Sequence, residues 1–191
     1  MSTGKVFAMG SDTPSGWEAE EIVYYKLGVT LSGGLQFVYL PGSGVVKGGD
    51  IDTFIASLLA GKTPGLVPFR SLDMAPNLLV RKSCYVVLQV DPSLNWQYLS
   101  AEPGLMTAQD LPGSYFDLVQ VATDGSETEG EAPPAGTVCQ IAYFGALVNP
   151  AEQGRIDPYN LYVELTADPK QPIPIIVDPD IKNDGTNPQW P

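Results

Sequence analysis

Asp178-Pro179-Asp180-Ile181-Lys182-Asn183-Asp184-Gly185 is the densest run of oxygen donors in the chain, with four carboxylate or amide side chains in seven positions. Calcium takes six to eight oxygens from carboxylates, amides and backbone carbonyls. Asp178, Asp180, Asn183 and Asp184 are therefore the candidate metal ligands, with Ca2+ as the ion. The run is not an EF-hand. Its third oxygen residue and its glycine are displaced, no Glu stands at the twelfth position, and Lys182 puts a positive charge inside the cluster. The same residues also read as turn formers that protect a sheet edge, since Asp-Pro and Asn-Asp-Gly favour turns.

A second chemistry open to these residue types is carboxylate-based hydrolysis of a glycoside. It needs two acids about 5–9.5 Å apart and no histidine. Asp91, Glu102, Asp117, Asp157 and Glu164 are the candidates, drawn from 22 acids. The two cysteines, Cys84 and Cys139, stand 55 positions apart inside apolar runs. They read as buried thiols; a disulfide would suit an exported protein, and no Cys-x-x-Cys motif points to zinc.

Histidine is absent. That excludes the usual Ser-His-Asp and Cys-His machinery, His-ligated zinc and facial-triad iron. Ten basic against 22 acidic residues give a net charge of −12. Such a charge favours solubility and argues against sequence-independent binding to nucleic acid or to an anionic membrane. The Gly-rich stretch from Pro41 to Gly49 matches neither the Walker pattern nor the dinucleotide fingerprint, and reads as a connecting loop. The N-terminal apolar run is too short for a signal-peptide core, and no segment is long enough for a spanning helix. Cytoplasmic residence, without a cleaved signal, is the expectation.

The elements that must position these groups are mostly strands. Ile22 to Leu31 and Leu35 to Leu40 alternate as a hairpin around Gly33-Gly34. Ser15 and Glu18 have capping-box spacing, but the β-branched and aromatic residues that follow favour strand. Ile51, Phe54, Ile55, Leu58 and Leu59 recur at helical spacing, with Asp50 or Asp52 as cap and Gly61 as stop. From Leu78 to Val90 the even positions form a core face with Lys82 as its one exception. Further strands are read at Trp96–Leu99, Tyr115–Val121, Thr137–Leu147 (with Gly145 as a bulge), Tyr159–Thr166 and Ile173–Val177. Pro172 and Pro174 confine the last of these to an edge. The acidic tract from Asp124 to Glu131 is a solvated hairpin tip or mobile loop, and most of the aromatic rings read as core.

About eight strands, one short amphipathic helix and many Gly and Pro residues predict a mainly β fold, an antiparallel β-sandwich or open barrel forming one domain over residues 1–191. The function expected from these features is a non-enzymatic binding or self-assembling module with a protein or carbohydrate partner, which includes a homo-oligomer. The alternatives are a carboxylate-dependent hydrolase such as a glycosidase, and a bacterial toxin-like or inclusion-forming protein.

Overall fold

The computed structural model describes residues 7–9, 13–30, 36–62, 65–70, 78–107, 113–149, 151, 154–168, 171–177 and 179–183. Among them lie fifteen strands and one helix. In chain order the elements are β1 (Phe7–Ala8), β2 (Glu21–Thr30), β3 (Gln36–Tyr39), β4 (Gly44–Lys47), α1 (Ile51–Leu59), β5 (Val67–Pro68), β6 (Leu78–Val80), β7 (Cys84–Val90) and β8 (Trp96–Tyr98). They continue with β9 (Leu105–Thr107), β10 (Tyr115–Ala122), β11 (Glu127–Glu129), β12 (Cys139–Ala146), β13 (Ile156–Leu165), β14 (Ile173–Val177) and β15 (Asp180–Asn183).

The fold is mainly β, as the sequence predicts, in a sandwich-like arrangement of two sheets. One sheet has eight strands in the order β11-β10-β12-β7-β2-β4-β5, with β3 also on β2. The other has seven strands in the order β1-β9-β13-β15-β6, with β8 and β14 also on β13. Most pairs are antiparallel, but β2 runs parallel to β7 and β15 parallel to β6. The strand number exceeds the sequence expectation because many strands span only two to four residues. The ten-residue β13, for example, is flanked by β8 and β9 on one edge and by β14 and β15 on the other.

Two apolar cores follow from strand alternation. Val23, Tyr25 and Leu27 of β2 join Val86, Leu88, Leu105, Tyr159, Leu161 and Val163 between the sheets. Ile22 and Tyr24 of the same strand face the other way, onto Phe54, Ile55 and Leu58 of α1. The helix starts where Asp50 accepts a hydrogen bond from the Thr53 amide, which selects Asp50 over Asp52 as the cap. No helix among the described residues is long and apolar enough to cross a membrane.

Two local readings change. The run from Leu78 to Val90 is two strands in different sheets, and Arg81-Lys82-Ser83 is the corner between them. Lys82, the one residue that broke the core alternation, sits at that corner. The bulge expected at Gly145 lies on the partner strand instead. Phe116 pairs with Gly145 and Val119 with Tyr143, so β10 carries the extra residue, next to Asp117 at φ 51°. Gly145 serves close packing, because a Cβ there would meet the Phe116 ring at 2.3 Å. Phe69 stacks on Tyr25 with centroids 5.2 Å apart.

A polar clasp closes one end of the sandwich. The Tyr115 hydroxyl of β10 donates to Asp157 Oδ2 of β13 at 2.5 Å, and Arg155 Nε reaches the same oxygen at 2.8 Å. Arg155 also donates to Ser114 Oγ at 3.2 Å. Asp157 is 1% exposed, so its charge depends on these partners. Burial, followed by the Asp157 hydrogen bond, pushes the Tyr115 hydroxyl well above its ordinary pKa and keeps it a donor. Asp157→Ala is expected to cost about 3–5 kcal/mol in urea unfolding by stranding Arg155 and the Tyr115 hydroxyl. Tyr115→Phe, which spares the ion pair, is expected to cost about 1.5–3 kcal/mol. Losses below 1 kcal/mol in both variants would deny the clasp its role.

Candidate active site

The register of the eight-stranded sheet carries the clasp into a second polar group. Tyr115 pairs with Ala146, Ala146 with Cys84, Cys84 with Glu21, and Glu21 with Lys47. These five residues form one row at the end of the sheet, on the face that looks into the sandwich. At about 4.8 Å per strand, Glu21 lies roughly 14 Å from Tyr115 along that row. Ala146 and Cys84 between them are fully buried.

Glu21 is only 5% exposed, and it borders a cleft of about 590 Å³ lined by Glu20, Val45, Lys47, Val67, Arg81 and Lys82. That volume falls within the roughly 300–1,000 Å³ typical of ligand pockets. Each side chain has a local reason to be there. Lys47 ends β4, beside Glu21 in the register. The Arg81-Lys82 corner exists because the chain leaves one sheet for the other at that point. Val67 comes close because Gly44 has no side chain: a Cβ there would meet the Val67 carbonyl oxygen at 2.4 Å. The Gly-rich stretch read as a plain loop is thus partly a strand, and it delivers a lysine.

The electrostatics are unusual for this chain. Three cations face two carboxylates in the cleft, against 10 basic and 22 acidic residues overall. Lys82 Nζ stands 3.9 Å from both Glu20 Oε2 and Glu21 Oε2. Glu21 Oε1 is buried without a hydrogen-bond partner. Burial raises the Glu21 pKa above its ordinary 4.5; Lys82 and Arg81 pull the other way and Glu20 adds to the rise. A buried carboxylate with a spare oxygen and raised proton affinity, ringed by cations, can exchange a proton beside a bound anion. Cys84, next in the row, is no nucleophile at neutral pH, because burial and then the charges of Glu21 and Glu20 push its thiol well up. Cys139 is likewise buried and free, its thiol pushed up to about 11 by burial.

Of the residues singled out from sequence, the side chains of most candidate calcium ligands lie outside the described residues. Of the candidate calcium ligands, Asp180 is half-buried on β15, its backbone opposite Pro158. Asp178, Asp184 and the Asn183 side chain lie outside the described residues. No group of three or more Cys, Asp or Glu side chains converges on a metal-sized site among the described residues. The candidate hydrolytic acids are dispersed. Asp157 and Glu164 share β13 but stand seven residues apart, roughly 23 Å at 3.3 Å per residue and far beyond a glycosidase pair. Asp157 belongs to the clasp, and Glu164 accepts from Gln97 at 2.6 Å. Asp91 pairs with Lys26 at 3.3 Å, Asp117 accepts from the Thr13 hydroxyl, and Glu102 is exposed. Local sequence does not mark Glu21, because an acid at the start of an apolar strand reads as solvent-side charge. The signal that could have found it was Lys82 in a core phase.

The family model described as predicted novel nucleotide synthetase (pNTSase1) matches residues 59–186, about two-thirds of the chain. The match covers Val67, Arg81 and Lys82 of the cleft, as well as Tyr115, Arg155 and Asp157; Glu21 and Lys47 lie before it. No curated protein and no solved structure matched the chain. The family overturns the expectation of a non-enzymatic binding or self-assembling module, and with it the glycosidase and toxin-like alternatives: the family's description is that of an enzyme making nucleotides. That expectation rested on the β architecture, the missing histidine and the loops rich in Gly, Pro and acids, none of which reports on a local cluster of three cations.

Glu21→Gln is expected to reveal the buried charge. The folded carboxyl holds its proton more tightly than an unfolded one, so its stabilising contribution is complete below pH 4.5 and is lost as pH rises through the folded value. The variant, which mimics the protonated form, should melt with the wild type near pH 4 and a few degrees above it at pH 7–8, at about 2–4 °C per kcal/mol for a chain of this size. A gap that does not change with pH would contradict the burial of a titrating Glu21.

Proposed function

The chain belongs to the predicted nucleotide synthetase family, and from that premise we propose that it is a nucleotide-synthesising enzyme whose chemistry takes place in the Glu21 cleft. Lys47, Arg81 and Lys82 hold the phosphate groups of a substrate, and the low-dielectric wall of the sandwich end strengthens their pull. Arg81 supplies a planar fork for two phosphate oxygens, while Lys47 and Lys82 act as point charges. Glu21 takes the proton that the attacking group sheds as its new bond forms, while the bond to a leaving phosphate or pyrophosphate breaks and Lys47, Arg81 and Lys82 take up the charge of that group. The raised proton affinity of Glu21 suits that task better than an ordinary exposed carboxylate would. Lys82 restrains the rise by favouring the charged form.

The observation that carries this reading is Glu21 itself. It is a carboxylate 95% removed from water with an unpartnered oxygen, in the cleft where Lys47, Arg81 and Lys82 meet. Ala146 and Cys84, buried in the same row, carry no charge, and the polar hydroxyl of Tyr115 is taken up by the clasp.

Calorimetric titration with pyrophosphate and with nucleoside triphosphates tests the proposal. The wild type should bind them with an affinity that falls as salt rises. Arg81→Ala/Lys82→Ala should weaken binding at least tenfold. Glu21→Gln should bind as tightly as the wild type, because a negative charge has been removed, yet lose about 10²–10⁴ in turnover once a substrate pair is in hand. Binding unchanged in the double variant, or none in the wild type, would remove the cleft from the mechanism.

A further inference from the structure

A second depression lies on the outer face of the eight-stranded sheet, under the C-terminal turn of α1. It measures about 180 Å³, and Leu58, Leu59, Gln89, Val121, Thr123 and Ile141 line most of it. It is separate from the Glu21 cleft. Glu21 pairs with Cys84 and Lys26 with Gln89, so the two sites stand five residues apart along β7, roughly 17 Å, and on opposite faces of the sheet.

Gln89 gives the depression a defined polarity. It is 9% exposed, and its Oε1 accepts the Tyr24 hydroxyl at 2.6 Å in a buried hydrogen bond. Gln89 lines the depression, and with its acceptor engaged the amide keeps Nε2, with two N–H groups, as the group left to donate there. Burial, with a further push from Asp91, keeps the Tyr24 hydroxyl protonated and in its donor role. The remaining wall is mostly aliphatic, with Thr123 and Gln140 adding polar atoms. Leu58, Val121 and Ile141 are buried, and Leu59 stands 41% exposed at the rim.

The bulge in β12 contributes to the shape. Val121 pairs with Ile141 and Ala122 with Cys139, which leaves Gln140 as the extra residue at this end of the strand. The surrounding charge is negative. The turn carrying Asp124 lies against Leu59, close enough that a side chain at Gly125 would touch it at 3.6 Å, and Glu127 follows at the start of β11. An anionic ligand is therefore disfavoured. The volume is also below the roughly 300–1,000 Å³ that houses a drug-sized ligand, so a single ring system fits and a whole nucleotide does not.

We infer that this depression binds an uncharged planar heterocycle with a carbonyl or ring-nitrogen acceptor, the chemical class of a free nucleobase. Gln89 Nε2 donates to the acceptor while Leu59 covers one face of the ring. The fixed amide makes the site selective for acceptor-bearing edges, because an apolar ring would leave that donor unpaired.

The test is titration of the full chain with uracil, cytosine, adenine and hypoxanthine, each alongside its nucleoside and 5′-monophosphate, followed by backbone amide shifts. At least one base should move the amides of Leu59, Gln89 and Thr123. Its dissociation constant should rise about tenfold or more in Gln89→Leu, the loss of one well-placed hydrogen bond with its partner stranded. Leu59→Glu, at an exposed position that should leave the melting temperature unchanged, should produce a similar loss and guards against misfolding of the first variant. The matching monophosphate should move these amides less than the base does. The inference is overturned if no base moves them at millimolar concentration, if binding survives both substitutions, or if the monophosphate occupies the depression as well as the base.

Discussion

Strand β2 runs parallel to β7 over seven pairs, from Glu21 opposite Cys84 to Leu27 opposite Val90. Side chains alternate along a strand, so this register decides at once what lies inside the sandwich and what lies under the helix. Val23, Tyr25 and Leu27 enter one core, while Ile22 and Tyr24 enter the other. A slip of one residue would exchange the two sets, turn Glu21 away from the row it shares with Cys84, and part Tyr24 from Gln89. Parallel strands also demand a long connection. Here that connection is the segment containing β3, β4, α1, β5 and β6, which supplies the helix and nearly every wall of the Glu21 cleft.

Two buried carboxylates, Asp157 and Glu21, lie where this register meets the end of the sandwich. A buried carboxylate is costly unless it is paired. Asp157 meets that demand through Tyr115 and Arg155, and its second oxygen alone is left over. Glu21 does not meet it: its nearest cation is 3.9 Å away and one oxygen has no partner. Both acids sit in equally buried rows, but one is built into a clasp and the other is left poised beside a cleft. That difference is what the proposed role of Glu21 rests on. It agrees with membership of a family described as predicted novel nucleotide synthetase.

Much of the fold is legible in the sequence. The hairpin of β2 and β3, the helix from Ile51 to Leu59, the one-sided alternation of β13 and the edge placement of β14 all follow from periodicity and from the proline positions. The corner at Arg81-Lys82-Ser83 is not legible as a corner, because Leu78, Val80, Cys84 and Val86 keep a single phase across it and both strands face the same core. Nor is the burial of Val87 and Gln89, which occupy the nominally outer face and are covered by a helix distant in sequence. The site is harder still. Glu21, Lys47 and Lys82 come from three strand ends that only the sheet register unites, whereas the dense acidic run at Asp178–Asp184 attracts notice through local composition. Chemistry assembled across strands leaves no spacing to read. What it leaves is a residue out of phase, and Lys82 was that residue.

The most direct measurement is a backbone amide shift map of the protein titrated with pyrophosphate at low salt. The largest shifts should cluster at Glu21, Lys47, Arg81 and Lys82, with the Gln89 depression unmoved. Shifts centred elsewhere, or none up to millimolar pyrophosphate, would contradict the assignment of this cleft as the place where the enzyme holds its phosphates.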